Sequence, residues 1–215
     1  MNYIVKRLSY FFLFSLFLSC SDNSDKLRDN YKQALAQFQS KHLNESKSSF
    51  ERLYKDNPDY LLVRLMLAKT YFFSNNLKVA AKLFEEDYSK NPARIESAIW
   101  MYRTKYILGE DPKAIVMGLD KIIIEDPNNI EAWILRGRIY EKLGQLDYAI
   151  ESYRNVVKND ERLGFAHFRL SELLHGFAPK QSDVDLIKAK ALGYNPELEK
   201  MQIDSDATTK AKHER

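Results

Sequence analysis

The chain repeats itself with a period of 34 or 35 residues. Two sets of small and aromatic residues share one internal spacing and lie two periods apart, namely Ala68, Tyr71, Ala80 and Phe84, and Gly137, Tyr140, Ala149 and Tyr153. A fixed period in this range is typical of solenoids, in which each unit is too small to bury its own apolar face and stacks on its neighbours. We therefore expect a single repeat array with a continuous core and an elongated curved surface.

Glycine and proline are sparse in this sequence. The 215 residues include only seven glycines and six prolines, and most of these lie where helices are expected to end. Signals for β-hairpins are missing. With 45% hydrophobic and 29% charged residues, the composition is that of a folded protein with an ordinary water-facing surface. These features predict an all-α fold.

The repeat unit is clearest between residues 131 and 160. Gly137 and Ala149 are small where two helices are expected to press together, while Tyr140 and Tyr153 fill the space around that contact. Gly144 is expected to end the first helix in a left-handed conformation. This pattern resembles the tetratricopeptide repeat (TPR), a helix-turn-helix unit of 34 residues. The resemblance implies a right-handed α-solenoid of about five repeats, over residues 27–59, 60–93, 94–128, 129–162 and 163–196.

The third repeat departs from the pattern. Ala114 lies 13 residues before Pro127, whereas the corresponding interval in the second repeat is 12, so one residue is inserted. Gly118 then stands where an aromatic residue is expected, which predicts thinner packing in that helix. After the last repeat, residues 197–215 turn polar and are expected to form a frayed tail.

A short apolar segment follows two cations at the N-terminus. Residues 8–18 are mostly apolar, but a helix needs about 20 such residues to cross a bilayer, so residues 1–19 are predicted to be a signal peptide. The junction from Leu16 to Cys20 resembles the bacterial lipobox, in which a small residue precedes a cysteine that becomes diacylated. Residues 20–26 would then be the lipidated cysteine and a polar tether. A buried free thiol and an uncleaved anchor are the alternatives.

The residue after the cysteine bears on localisation. By resemblance to enterobacterial lipoproteins, Ser21 after Cys20 favours the outer membrane, with the periplasmic or surface face left open. Two or three acyl chains hold a protein stably on a membrane. The sequence thus predicts a bacterial TPR lipoprotein in the cell envelope. With one cysteine in the chain, no intramolecular disulfide can form.

The charge balance argues against a nucleic-acid partner. The formal net charge is +3, from 33 basic and 30 acidic residues. Lys6 and Arg7 belong to the predicted leader, which contains no acid, so 31 basic residues face 30 acidic ones in the mature chain. Without an excess of cations there is no electrostatic footprint for DNA or RNA.

The TPR resemblance also predicts where a partner binds. In that family the first helix of each repeat lines a concave face that carries the ligand. Lys69, Arg103 and Arg138 occupy one slot in three successive repeats, and we expect them to stack as a row of cations. Such a row among apolar residues suits a peptide with acidic residues, since arginine pairs bidentately with carboxylates. The predicted groove comprises Tyr31, Phe38, Leu65, Lys69, Phe72, Ile99, Arg103, Tyr106, Ile134, Arg138, Glu141 and Phe168.

The alternative to a partner-binding groove is a solvated face whose cations pair with acids such as Glu96, Glu131 and Glu141. The chaperone-binding members of the TPR family clamp a terminal carboxylate with lysine, arginine and asparagine residues. Here Tyr31 and Leu35 occupy the slots where that set would begin, so a co-chaperone role is not carried over.

No constellation in the sequence indicates catalysis. His167 and His175 are eight residues apart on an expected helix, too far for the i, i+4 spacing of helical metal sites. Fingerprints of nucleophile elbows, phosphate-binding loops and dinucleotide sites are missing. We therefore expect a non-enzymatic protein without metal or cofactor.

The favoured function is a membrane-anchored scaffold or adaptor, in which Cys20 localises the array and the groove holds a protein or peptide during assembly of an envelope complex. Pilotin-like assembly of secretins falls within this class. A surface-exposed adhesin that binds host molecules and a regulatory subunit of a hydrolase are alternatives of other classes. Oligomeric state and the identity of the partner stay open.

Overall fold

The computed structural model describes residues 24–197, and these residues form helices and turns only. The prediction of an all-α helical-repeat fold is therefore confirmed. Within this range no helix is both long and apolar enough to cross a membrane. The helices are α1 (residues 24–39), α2 (Leu43–Asp56), α3 (Val63–Phe73), α4 (Leu77–Lys90), α5 (Ile95–Ile107), α6 (Pro112–Glu125), α7 (Ile130–Lys142), α8 (Leu146–Asn159), α9 (Gly164–Leu174) and α10 (Pro179–Ala191).

Several sequence predictions fall outside these residues. The signal peptide, Cys20 and all of the polar tail after Glu197 lie beyond the described range, so they stay predictions. The predicted tether at residues 20–26 overlaps it, and its last three residues are already helical, because α1 begins at residue 24.

The chain divides after Glu110 into two compact units. The described part of the first unit contains α1 to α5, and that of the second contains α6 to α10. Within each unit the helices pack in chain order, α2 to α5 in the first and α6 to α10 in the second, each against the next. This nearest-neighbour packing is the arrangement expected of a repeat protein.

The core of the first unit is built from one buried aromatic residue in each second helix. Phe50 on α2 and Phe84 on α4 are fully buried. Ala68 and Ala80 are also fully buried, where α3 packs against α4. The indole of Trp100 on α5 stacks on the Phe84 ring, with centroids 5.8 Å apart, and so joins this core at its edge.

The second unit contains the same kind of contact, with a tyrosine in place of phenylalanine and a glycine in place of alanine. Tyr153 on α8 is fully buried, and its ring lies against Gly137 on α7. A Cβ atom added at Gly137 would lie 2.9 Å from Cζ of Tyr153, far inside ordinary contact distance. The close helix crossing that the sequence indicated at Gly137 and Ala149 is therefore present.

The third repeat corrects one prediction. The inserted residue precedes α6, which begins at Pro112 and is capped by the Asp111 carboxylate. Ala114 is consequently exposed, and the buried Leu119 lies 35 residues after Phe84, in the slot of the large core residue. The prediction that Gly118 stands at the position of the large core residue was wrong. Because the insertion shifts the helix by one residue, Leu119 occupies that position.

Left-handed residues end the first helices of the repeats. Gly109 and Gly144 have φ of 78° and 69°, as expected for a helix C-terminus. Lys41 and Asn75 take the same conformation after α1 and α3, with φ of 61° and 63°. The turn geometry is therefore kept where the sequence lacks glycine.

Candidate functional site

One row of the predicted groove is buried in the core. Tyr31, Leu65 and Ile99 are all buried, so they cannot line an open surface, and their assignment to the groove was wrong. These three residues lie one turn before the outward-facing positions of their helices. Ile134 and Phe168, the equivalents in the second unit, are partly buried.

The two cations of the first unit meet at one indole ring. The ammonium of Lys69 lies 5.4 Å from the Trp100 ring centroid, and the guanidinium of Arg103 lies 4.6 Å from it. Both distances fall within the range of cation–π attraction. Lys69 also forms an ion pair with Glu96, as the solvated-face alternative predicted. The structure thus brings Lys69 and Arg103 together through Trp100, a residue that sequence reasoning had left out of the groove.

Aromatic rings continue from Trp100 along the same unit. Phe72 and Phe73 lie 5.1 and 5.8 Å from Trp100, both nearly edge-on. Phe38 of α1 lies 5.8 Å from Phe73. Phe73 is the outermost of these side chains, with 51% of its surface exposed. We call this set the aromatic–cation patch, and it consists of Phe38, Lys69, Phe72, Phe73, Trp100 and Arg103.

Of the predicted groove residues in this unit, four lie in the patch, namely Phe38, Lys69, Phe72 and Arg103. Tyr106 is partly buried on α5, close to one turn after Arg103. Phe73 was missed because the repeat frame selects one residue per slot, although the Phe72–Phe73 pair at the end of α3 is visible in the sequence.

The second unit has its own cation on an aromatic ring. Arg138 is exposed on α7, and its guanidinium lies 4.9 Å from the Phe165 ring. Phe165 and Phe168 both contact the Tyr194 ring, at centroid distances of 6.1 and 5.2 Å. Phe165 and Tyr194 were not predicted as site residues. Phe165 is not at one of the repeat positions that were assigned to the groove, and Tyr194 follows α10.

Glu141 is held inside the second unit by an ion pair. Nε of Arg169 on α9 donates to the Glu141 carboxylate at 3.0 Å, and a second guanidinium nitrogen bonds the same group. The hydrogen bond to this carboxylate raises the pKa of the Arg169 guanidinium. Glu141 therefore ties α7 to α9 through Arg169, a cation outside the predicted row.

The buried histidine of α9 has the partners of a structural residue. Nδ1 of His167 lies 2.8 Å from Asp185 of α10, and Nε2 lies 3.1 Å from the Glu161 carbonyl oxygen. Both ring nitrogens thus face acceptors, which leaves no nitrogen free to activate a nucleophile. Within residues 24–197 no group of three histidine, cysteine or acidic side chains could hold a metal ion.

Comparisons with known proteins agree with this geometry. The profile of the tetratricopeptide repeat family matches residues 119–151, which run from α6 into α8. Solved MamA structures share the fold at low identity. One crystal structure of MamA has a TM-score of 0.65 at 16% identity, covering 79% of this chain and 96% of that one. MamA from Desulfovibrio magneticus RS-1, residues 41 to the end, has a TM-score of 0.68 at 14% identity, with coverage of 79% and 96%. No curated protein sequence matches the chain significantly.

The helix pairs, their packing order and the buried small-to-aromatic contacts define an all-α helical-repeat protein. One stretch of this array matches the tetratricopeptide repeat profile, and the fold as a whole is similar to that of MamA. Helical-repeat arrays of this kind present extended surfaces that bind other proteins.

Proposed function

We propose that this chain is a membrane-anchored, non-catalytic TPR adaptor whose aromatic–cation patch binds a peptide segment that carries an apolar anchor beside acidic residues. The observation that carries the proposal is the convergence of Lys69 and Arg103 on Trp100, next to the exposed ring of Phe73. Aromatic and arginine residues are the side chains that most often dominate binding energy at protein interfaces.

The apolar part of the patch supports affinity. An exposed phenylalanine gains about 1.5–3 kcal/mol when it is fully buried, and Phe73 has about half of its surface left to bury. Its ring is already held in place by Phe72, Trp100 and Phe38. A partner side chain that covers Phe73 therefore meets a surface whose side chains need little further ordering.

The cations support orientation of the partner. Lys69 is paired with Glu96, whose side chain is about half exposed. Such partly exposed ion pairs contribute only about 0–1 kcal/mol, so an incoming carboxylate can replace Glu96 at little cost. The guanidinium of Arg103 lies on the same indole ring as the Lys69 ammonium, and a planar guanidinium has the geometry that suits a carboxylate. A peptide with an acidic residue next to its apolar anchor fits both groups.

Membrane attachment is the second part of the proposal. The lipobox-like sequence before Cys20 supports acylation of that cysteine, and Ser21 favours the outer membrane. The partner would then be a protein of the cell envelope, and the adaptor would take part in assembling an envelope complex. Metabolic labelling with palmitate tests this part, with Cys20→Ser as the control that should lose both the label and the membrane fraction. Protease treatment of intact cells separates a surface protein, which is digested, from a periplasmic one.

Charge reversal tests the patch. A photocrosslinking residue at position 73 in intact cells should capture the partner, and Arg103→Glu should reduce that capture strongly. The matched control is Lys82→Glu, an exposed position on α4 of the same unit, which changes the net charge equally and should leave capture unchanged. Equal capture by the Arg103→Glu protein and the unsubstituted protein would refute the patch as the binding site.

A further inference from the structure

The loop between α2 and α3 exposes two consecutive leucines. Leu61 and Leu62 have 56% and 38% of their surface exposed. Leu61 also has a φ of 46°, in the left-handed region that side chains other than glycine rarely adopt. Lys41 and Asn75 share that conformation, but they follow helices, where it is ordinary. Leu61 instead precedes a helix, so its conformation calls for a separate reason.

The left-handed residue lies where the first turn of α3 would be expected. Leu61 lies 34 residues before Ile95, the first residue of α5. The equivalent helix in this repeat begins only at Val63, which is fully buried. The chain therefore unwinds the two positions before Val63 and turns Leu61 and Leu62 outward, where a regular repeat would continue the helix.

This loop lies beside the N-terminal half of α1. The rings of Tyr60 and Tyr31 are 5.9 Å apart, and Tyr60 immediately precedes the two leucines. Tyr31 is seven residues after the first described residue of α1, which corresponds to about 10 Å along the helix axis. Helical side chains also lean toward the N-terminus, so the loop lies close to where α1 begins.

The start of α1 is close in sequence to the proposed lipid anchor. Four residue steps separate Cys20 from residue 24, and an extended chain covers at most about 14 Å over that length. If Cys20 carries acyl chains in the bilayer, the first turn of α1 is held within that distance of the membrane surface. The loop with the two leucines then lies on the membrane side of the first unit.

The charges near this loop do not favour an electrostatic contact. The first turns of α1, the end of α2 and the loop contain three cations and four carboxylates, namely Lys26, Arg28 and Lys55 against Asp25, Asp29, Asp56 and Asp59. Arg28 is further engaged with Asp25 and Asp29, and Asp59 with Arg64. With no excess of positive charge, attraction to anionic lipids is not expected, so any membrane contact here depends on apolar insertion.

We infer that Leu61 and Leu62 form a lipid-contacting wedge that inserts into the bilayer interface and fixes the orientation of the first unit on the membrane. The occupant of this apolar surface is the lipid bilayer itself. The inference rests on the proposed acylation of Cys20, since the short connection to α1 is what brings the loop to the membrane. Burial of the two side chains in lipid would offset the conformational cost of the left-handed backbone at Leu61.

Site-directed fluorescence on the acylated, full-length mature protein tests the wedge. Leu61→Cys and Asn75→Cys are a matched pair, because both residues are exposed, both have positive φ, and they lie at opposite ends of α3. Acylation blocks the native Cys20 thiol, so each variant takes a single maleimide dye. On neutral phosphatidylcholine vesicles that contain nitroxide-labelled lipid, the dye at position 61 should lose most of its emission, while the dye at position 75 should keep it.

Two further measurements make the outcome decisive. In the unsubstituted protein, amide hydrogen exchange at residues 60–62 should be slower when the protein is bound to vesicles. The reference sample is the same protein in detergent-free solution with soluble lipid headgroups. Adding anionic lipid should change neither result. An unmodified Cys20, recognised by mass and by a second dye, would overturn the anchoring proposal and the wedge together. Acylated, vesicle-bound protein with equal emission at positions 61 and 75 would overturn the wedge alone and leave the anchor and the aromatic–cation patch intact.

Discussion

The contact between Gly137 and Tyr153 allows a substitution whose sign separates two physical effects. In Gly137→Ala the new methyl carbon would lie 2.9 Å from Cζ of Tyr153 and 3.1 Å from each neighbouring ring carbon. Carbon atoms in favourable contact are about 3.5–4.0 Å apart. The Tyr153 ring cannot simply move aside, because it is fully buried and lies edge-on to Phe165 at 6.0 Å.

The magnitude follows from two opposing contributions. Overpacking of a closely packed core costs about 1–3 kcal/mol of unfolding free energy. Alanine is favoured over glycine inside a helix by about 0.8–1.0 kcal/mol, and Gly137 lies within α7. The expected net effect is a loss of about 1 kcal/mol from the unfolding free energy of the second unit. Helix propensity alone predicts a gain of similar size, so the sign of the change decides between them.

Tryptophan fluorescence gives an assay for each unit. The chain has two tryptophans, Trp100 in the first unit and Trp133 in the second. In a Trp100→Phe background, urea unfolding followed by Trp133 emission reports on the second unit, where Trp133 packs in the same apolar cluster as Tyr153. Gly176→Ala is the control, since its Cβ would meet nothing within 4 Å. A Gly137→Ala protein more stable than the parent would refute the close-packing argument.

Two other substitutions probe polar contacts of the first unit. Asp87→Ala removes a buried carboxylate that accepts two hydrogen bonds from Arg94 at 2.7 and 2.8 Å. We expect the unfolding free energy to fall by about 3 kcal/mol, measured by urea unfolding followed by Trp100 emission. A change under about 1 kcal/mol would contradict a stabilising role of this buried ion pair. The Glu51 carboxylate accepts a hydrogen bond from Tyr71 and raises the pKa of that phenol to about 12. The folded state therefore holds this proton more tightly than the unfolded state, and its contribution to stability is complete below about pH 10 and is lost as the pH rises toward 12. The difference in tyrosinate absorbance between the unsubstituted protein and Tyr71→Phe should have its midpoint near pH 12, and a midpoint near 10 would refute the bond.

The sequence predicted the helical hairpins because their key contacts are encoded by size. Pairs such as Ala68 with Phe84 and Gly137 with Tyr153 recur at one spacing, and only a close helix crossing explains a small residue opposite a large one at fixed intervals. The register of α6 could not be predicted in the same way. An inserted residue can lie on either side of a helix without changing the period, and only the burial of Leu119 shows that it precedes α6.

The candidate site was predicted less well than the fold. The repeat frame selected Phe72 and Arg103, which are partly exposed and lie in the aromatic–cation patch, since residues one period apart share a face. It also assigned Leu65 and Ile99 to the groove, although they are buried. A period identifies equivalent positions but not where the buried stripe of a helix ends, because that boundary depends on how the next helix is packed. Contacts between residues at different repeat positions, such as Lys69 on α3 with Trp100 on α5, also depend on how neighbouring helices are packed.

Trp100 joins the aromatic–cation patch of the first unit to its core. One neighbour of its indole is the fully buried ring of Phe84, and others are the cationic groups of Lys69 and Arg103. The position of the cations therefore depends on core packing, and any partner that covers the indole gains a surface that the fold has already ordered. Because a ligand that binds only the folded state stabilises it by mass action, a partner bound at the patch would raise the unfolding free energy of the first unit. A loss of binding in a patch variant thus indicates a lost contact only when the unfolding free energy reported by Trp100 emission is unchanged. Arg103 is therefore a better test position than Trp100 itself, whose ring also stacks on the core residue Phe84.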